Sequence, residues 1–220
     1  MPTAQVKAID LSLTSLAYAQ RKTSELGITN IEYLQADILN LGDLGQEFDI
    51  IESSGVLHHM NDPMAGWRVL VDLLKTGGLM NIGLYSELAR RHIVKTREDI
   101  ALRGIGTSEA EIRQFRQFLV ESHDEHHQKL TGFGDFFSLS EVRDLLFHVQ
   151  EHRFTFPQIQ KCLAELGLKF CGFENTDIVG KFKHFFGRDS DACDLSLWHQ
   201  FEEENPRTFA GMYQFWCQKI

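Results

Sequence analysis

Four short apolar runs alternate with helical text between Val6 and Leu84, and this alternation constrains the chain more than any other feature. The runs are residues 6–10, 31–34, 48–51 and 79–84. Strand and helix taking turns in this way predicts an α/β fold, a parallel sheet with crossover helices. The first run, "VKAID", ends on Asp10, and "QADIL" sets Asp37 just past the second. An acid at the carboxyl end of a parallel strand is where nucleotide-binding α/β folds hold a ribose, because its two oxygens accept from both hydroxyls. In such folds that acid closes the second strand, about 20 residues after a first strand and a glycine-rich turn. Here only residues 1–5 stand before the strand.

The helices between the runs carry their own punctuation. Ser12 is placed to cap the first, whose apolar stripe is Leu13, Leu16, Ala17 and Leu26, and Gly27 stops it. Pro63 begins the second, over residues 63–74, and Gly77–Gly78 read as a turn before the fourth strand. After Ser86 the text is helical, first over residues 87–103. Capping boxes follow at Ser108 with Glu111, Ser138 with Glu141 and Thr155 with Gln158. Ile112, Phe115, Phe118 and Leu119 fall on one helical face. Residues 169–173 and "MYQFWCQ" read as two late strands, a hairpin with one strand antiparallel. One domain is expected: an α/β part at 6–86, a helical insertion at 87–155, and a closing helix with strands at 156–220.

A formal charge of -9, from 31 acidic against 22 basic residues, argues against a general nucleic-acid or anionic-membrane binder. Cys162, Cys171, Cys193 and Cys217 form no Cys-x-x-Cys pair, so zinc-site spacing is absent and reduced thiols in a cytoplasmic protein are expected. No apolar stretch approaches the roughly 20 residues of a membrane span.

"AIDLS", "LQADIL", "FDIIESSGVLHHMNDP" and "LLKTGGLMNIGLYS" stand in the order and spacing of class I S-adenosylmethionine-dependent methyltransferases. The chain resembles that family in detail over residues 6–86. Its later half resembles the carboxyl-terminal portion of methyltransferases fused to tetratricopeptide repeats. The resemblance implies a Rossmann-like, mostly parallel sheet with a late antiparallel strand, and S-adenosyl-L-methionine as cofactor. It also implies residue roles. Asp10 accepts from the cofactor ribose and Leu11 flanks the adenine. Asp37 accepts from the adenine amino group, with Ala36 and Ile38 packing near the ring. Ser53, Ser54 and Gly55 lie near the methionine part, Leu57 and His58 open the segment between cofactor and substrate, and Tyr85 faces the same crevice. The family's first strand and glycine-rich loop have no counterpart here. That strand sits mid-sheet beside residues 6–10, so a chain truncated at its amino end is expected, or one paired with a strand from a partner.

Methyl transfer from a sulfonium is an in-line displacement on an activated electrophile, so a protein mainly supplies proximity and orientation. A base is needed only where the acceptor must lose a proton. His58 is the candidate base, with His59 and Tyr85 as candidate substrate-pocket residues. His123, His126 and His127 have a spacing that suits a metal, but a solvated helix end is the expected reading and no metal is assigned. Fourteen of the 17 phenylalanines follow residue 130. Most are expected to fill the core, although Phe182, Phe185 and Phe186 beside Lys181, Lys183 and Arg188 could also meet an anionic substrate. Methyl transfer to an unidentified acceptor is the first reading. A non-catalytic interaction domain on the same scaffold is the second. An NAD-dependent dehydrogenase shares the ribose acid but not the Leu-His-His segment.

Overall fold

β1 (Val6–Asp10) and β2 (Ile31–Gln35) pair in parallel, Val6 against Ile31 through Asp10 against Gln35. The structure, a computed structural model, describes residues 4–147 and 150–220. Between these strands runs α1 (Leu13–Glu25), where the Ser15 N–H donates to the Ser12 hydroxyl, and Gly27 at φ 69° lets the chain leave the helix. The expected stripe on α1 is mostly uncovered. Leu16 is buried, whereas Leu13, Ala17 and Leu26 are exposed, as are Leu11 and Tyr18. A two-stranded sheet is too narrow to cover a helix face.

A 3₁₀ helix at Ile38–Leu44 leads to β3 (Phe48–Ser54), and a second at Leu57–His59 precedes α2 (Pro63–Asp72). Asp62 caps α2 by accepting from the Met64 and Ala65 N–H groups. β4 (Leu74–Leu84) pairs in parallel with β3. β4 begins at Leu74, opposite Phe48, but the next pair is Ile50 with Leu79, so β4 advances five residues while β3 advances two. The Gly77–Gly78 turn expected from sequence takes up the difference: Gly77 adopts φ 77°, and Gly78 comes so close to the Lys75 carbonyl that a side chain would collide with it.

Four helices follow: α3 (Arg91–Arg103), α4 (Glu109–Glu121), α5 (Glu125–Leu130) and α6 (Leu139–Phe147). They enclose their own core of Ile93, Ile112, Phe115, Leu119, Leu130, Val142 and Leu145. The Ser108–Glu111 capping box forms in both directions. His148, the last residue of the expected "SLSEVRDLLFH" helix, lies outside the described residues. α7 (Phe156–Glu165) carries the Thr155–Gln158 box. Then come β5 (Leu168–Phe173), α8 (Thr176–Phe186), α9 (Leu195–Glu204) and β6 (Tyr213–Lys219).

β6 runs antiparallel between β4 and β5, giving the order β3-β4-β6-β5. The two late strands do pair, but α8 and α9 intervene, so they are not joined by a hairpin turn. β1 and β2 form a separate sheet. Among the described strands, β1 therefore pairs only with β2, and β3 only with β4. The main core lies on the four-stranded sheet, where Trp67, Phe156, Phe182, Trp198, Phe209, Tyr213 and Phe215 are fully enclosed. Most late phenylalanines fill this core or that of α3–α6, while Phe137 and Phe185 are exposed.

One buried carboxylate ties α9 to the sheet. Glu202, 2 % exposed, accepts from Ser86 Oγ at 2.6 Å and Tyr213 OH at 2.6 Å. Burial pushes its pKa above the ordinary 4.5, against the pull of the two hydroxyls. A raised acid pKa means that the native state holds the proton more tightly than the unfolded chain. Its contribution is complete below pH 4.5 and is lost as pH rises through the folded value. Glu202→Gln is expected to flatten the decline in stability over that window. Urea unfolding at a series of pH values checks this, and identical slopes for the two proteins would count against it.

Candidate active site

The residues that the resemblance assigns to cofactor and acceptor stand at or just past the carboxyl ends of β1 to β4, where α/β sheets bind ligands. At the end of β1, Asp10 is exposed, and one of its oxygens accepts the Ser12 N–H at 2.8 Å. Past β2, Asp37 is half-buried and caps the 3₁₀ helix by accepting the Leu39 N–H at 3.0 Å. The Ala36 N–H donates to the Asp10 carbonyl at 3.3 Å, which holds the two strand ends side by side. Ala36 and Ile38 pack against the main core, whereas Leu11 is 66 % exposed.

β3 delivers a second group. Ser53 is buried, and its hydroxyl has no hydrogen-bond partner. Ser54 is exposed and donates to Met212 Sδ at 3.4 Å. Gly55 takes φ 77°, and its N–H reaches the Gly83 carbonyl at 3.4 Å. At Gly83 a side chain would collide with the Ser54 hydroxyl and Met212, so β3 and β4 approach closely there. Leu57 is fully enclosed in the main core, which makes it a packing residue rather than a wall of the crevice.

His58 is fully buried, and among the described residues neither ring nitrogen makes a hydrogen bond of full geometry, the Gly83 backbone giving only a weak interaction. Burial, reinforced by the neighbouring His59, pushes its pKa down to about 3. The imidazole is therefore neutral at physiological pH and accepts a proton poorly, since a general base works best near the operating pH. A buried imidazole with its pKa lowered in this way is a weak base. Its ring lies 3.8 Å from the Tyr85 ring at an interplanar angle of 31°. His59 stands edge-on to both rings, at centroid distances of 4.4 and 5.8 Å.

Sequence reasoning missed what lies behind Tyr85. The Arg90 guanidinium covers the ring at 3.7 Å. Arg90 donates Nε and Nη2 to the two oxygens of Glu151, at 2.9 and 2.8 Å. Arg97 adds a third bond at 3.0 Å, and Arg153 approaches at 3.8 Å. Residues 150–154 cross the strand ends as a strap. The His152 N–H donates to the His58 carbonyl at 2.7 Å and the Phe154 N–H to the Tyr85 carbonyl at 2.8 Å. Arg90 and Glu151 are far apart in sequence, and no motif links them.

Of the three histidines near α5, His123 is exposed as expected, but the other two are engaged within the fold. His127 is buried between Asp99 Oδ2 at 2.9 Å and Ser122 Oγ at 2.7 Å, and His126 Nδ1 meets His92 Nδ1 at 3.0 Å. Among the described residues, no group of three or more His, Cys, Asp or Glu side chains is placed to hold a metal ion. Among them also, no helix is long and apolar enough to cross a membrane.

Residues 1–78 match the methyltransferase domain family. An uncharacterised Synechococcus protein is 30% identical over 191 residues, which make up 80% of this chain and 44% of that protein. Two structures of PKMT2 from Rickettsia typhi, one in complex with AdoHcy, superpose with a TM-score of 0.70 at 16% and 17% identity. Each comparison covers 99% of this chain and 44% of PKMT2. At that identity the likeness speaks for the fold. The chain spans less than half the length of these two proteins.

Proposed function

We propose that this chain, a class I methyltransferase fold whose residues 1–78 match the methyltransferase domain family, moves a methyl group from S-adenosyl-L-methionine to an acceptor. The observation that carries the reading is the pair of acids, Asp10 and Asp37, held side by side at adjoining strand ends. The residues present suit the cofactor's chemistry. Asp10 keeps one oxygen clear of its own backbone bond for a ribose hydroxyl, and Asp37 would accept from the adenine amino group. Ala36 and Ile38 offer apolar contact to the ring, with exposed Leu11 as its other flank. The unpartnered Ser53 hydroxyl, with Ser54 and Gly55, marks where the methionine part would end. Bound there, the cofactor supplies an activated methyl group, and His59 and Tyr85 would line the acceptor side while neutral His58 packs behind them.

Calorimetric titration with S-adenosylhomocysteine tests the reading. Asp10→Ala removes charge-assisted hydrogen bonds of about 1.5–3 kcal/mol, so affinity is expected to fall roughly ten- to a hundred-fold. No heat from folded wild-type chain, or equal affinity in the variant, would sink the assignment. The one-sided pairing of β1 and β3 supports a further expectation. A longer polypeptide that supplies a strand and glycine-rich loop there would bind more tightly than this chain. Failure of both forms to bind would favour a non-catalytic interaction domain.

A further inference from the structure

We propose that Glu151 is a positioning residue: its carboxylate fixes Arg90 against Tyr85 and so sets the aromatic wall on the acceptor side of the crevice. The proposal rests on the methyl-transfer reading above.

The arrangement is a stack of three side chains closed by a fourth. The His58 ring lies 3.8 Å from the centre of the Tyr85 ring and the Arg90 guanidinium 3.7 Å from it; two groups that near one ring centre would overlap on a single face, so they take opposite faces. Tyr85 is nonetheless only half-buried, so with both faces covered an incoming group meets the rim of the ring. His58 itself is fully enclosed. The orientation of that rim is therefore what the acceptor encounters, and orientation is the main contribution a protein makes to methyl transfer.

A guanidinium can hold a ring only if it is itself held. Arg90 has four-carbon reach and large rotamer freedom, which a two-point fork to a carboxylate removes. Glu151 supplies that fork at 2.9 and 2.8 Å, and its side chain is 1 % exposed. Glu151 is anchored in turn by the strap, whose N–H groups at His152 and Phe154 bond the carbonyls of His58 and Tyr85. The same backbone that carries the carboxylate thus grips two members of the stack, His58 and Tyr85, while the carboxylate itself holds the third, Arg90. Arg97 connects this point to α6, donating to the Leu145 carbonyl at 3.1 and 2.7 Å as well as to Glu151.

The Tyr85 phenol reports on the arrangement. Burial raises its pKa, and the charged groups around it are Arg90, Glu151, Asp135 and Arg97, with His58 and His59 beside the ring. Arg90 pulls the value down. The ultraviolet titration of Tyr85, taken as wild type minus Tyr85→Phe, isolates its signal from the other tyrosines. Arg90→Gln is expected to raise it by about one pH unit, because a nearby cation is lost. Arg90→Lys keeps the charge but cannot fork the carboxylate, so it is expected to raise the titration nearly as much. In a Glu151→Gln background, Arg90→Gln is expected to shift it by less than half as much. A wild-type titration in Arg90→Lys, or an Arg90→Gln shift of full size without Glu151, would overturn the proposal. If Glu151→Gln does not fold, the two Arg90 variants decide it alone. Titration with S-adenosylhomocysteine on the same samples separates the two ideas. Absent binding with the shifts intact removes the methyl-transfer reading and leaves the positioning chain. Binding without the shifts removes the positioning chain.

Discussion

Glu151→Ala is expected to lower the free energy of unfolding by about 3–5 kcal/mol, the usual consequence of stranding buried charges by removing their partner. The Glu151 side chain is 1 % exposed and Arg90 4 %, with Arg97 and Arg153 closing around the same carboxylate. Removing it leaves guanidiniums facing one another out of water. For a chain of this size the loss corresponds to a fall in Tm of roughly 6–20 °C. The effect depends on pH. Burial by itself would push the Glu151 pKa up, but Arg90 and Arg97 together bring it below the ordinary 4.5. A depressed carboxylate contributes stability above the unfolded value and loses it as pH falls through the folded value. Wild type should therefore lose stability on the acid side of pH 4.5 more steeply than the variant. Melting curves at pH 7 and at steps below 4.5 measure both quantities. A loss under 1 kcal/mol at neutral pH would mean that water reaches the cluster.

Trp198→Ala is the second large effect, again about 3–5 kcal/mol, and here its source is a cavity. Trp198 is fully enclosed, stacks on Phe182 at 4.0 Å and meets Phe173, Phe201 and Phe209 edge-on at 4.7, 5.7 and 6.0 Å. Its indole N–H donates to the Ala192 carbonyl at 2.9 Å, pinning the loop before α9. Alanine removes the ring and leaves that carbonyl without its partner. Half-exposed Phe185, edge-on to Phe186 and Phe201 at 4.8 and 5.5 Å, offers the contrast, since Phe185→Ser is expected to cost only about 1–2 kcal/mol. Urea unfolding of both variants checks the pair. Equal losses would mean that the aromatic cluster is not the core of this half of the molecule.

The methyltransferase-like half was legible because its signals are local. A strand ending on an acid, a serine before an apolar run and a glycine after it act over a few residues, so Asp10, Ser12, Gly27 and Asp37 fell where the text put them. The Gly77–Gly78 turn was legible for the same reason, but only the pairing of Leu74 with Phe48 shows that the strand starts ahead of it. α8 and α9 were hidden in a stretch read as a simple return between two strands. Their aromatic residues suited strand and helix alike until Phe182 and Trp198 stacked on each other.

By itself, then, the sequence determined the α/β alternation, the strand-end acids and the helix caps, because each follows from short-range periodicity and hydrogen bonding. Tertiary structure alone decided the chemistry around them. Burial lowered the pKa of His58, and folding brought Glu151 onto Arg90 and Arg90 onto Tyr85. Desolvation and charge pairing depend on which groups meet and how much water they exclude. Neither quantity exists until the chain has closed on itself.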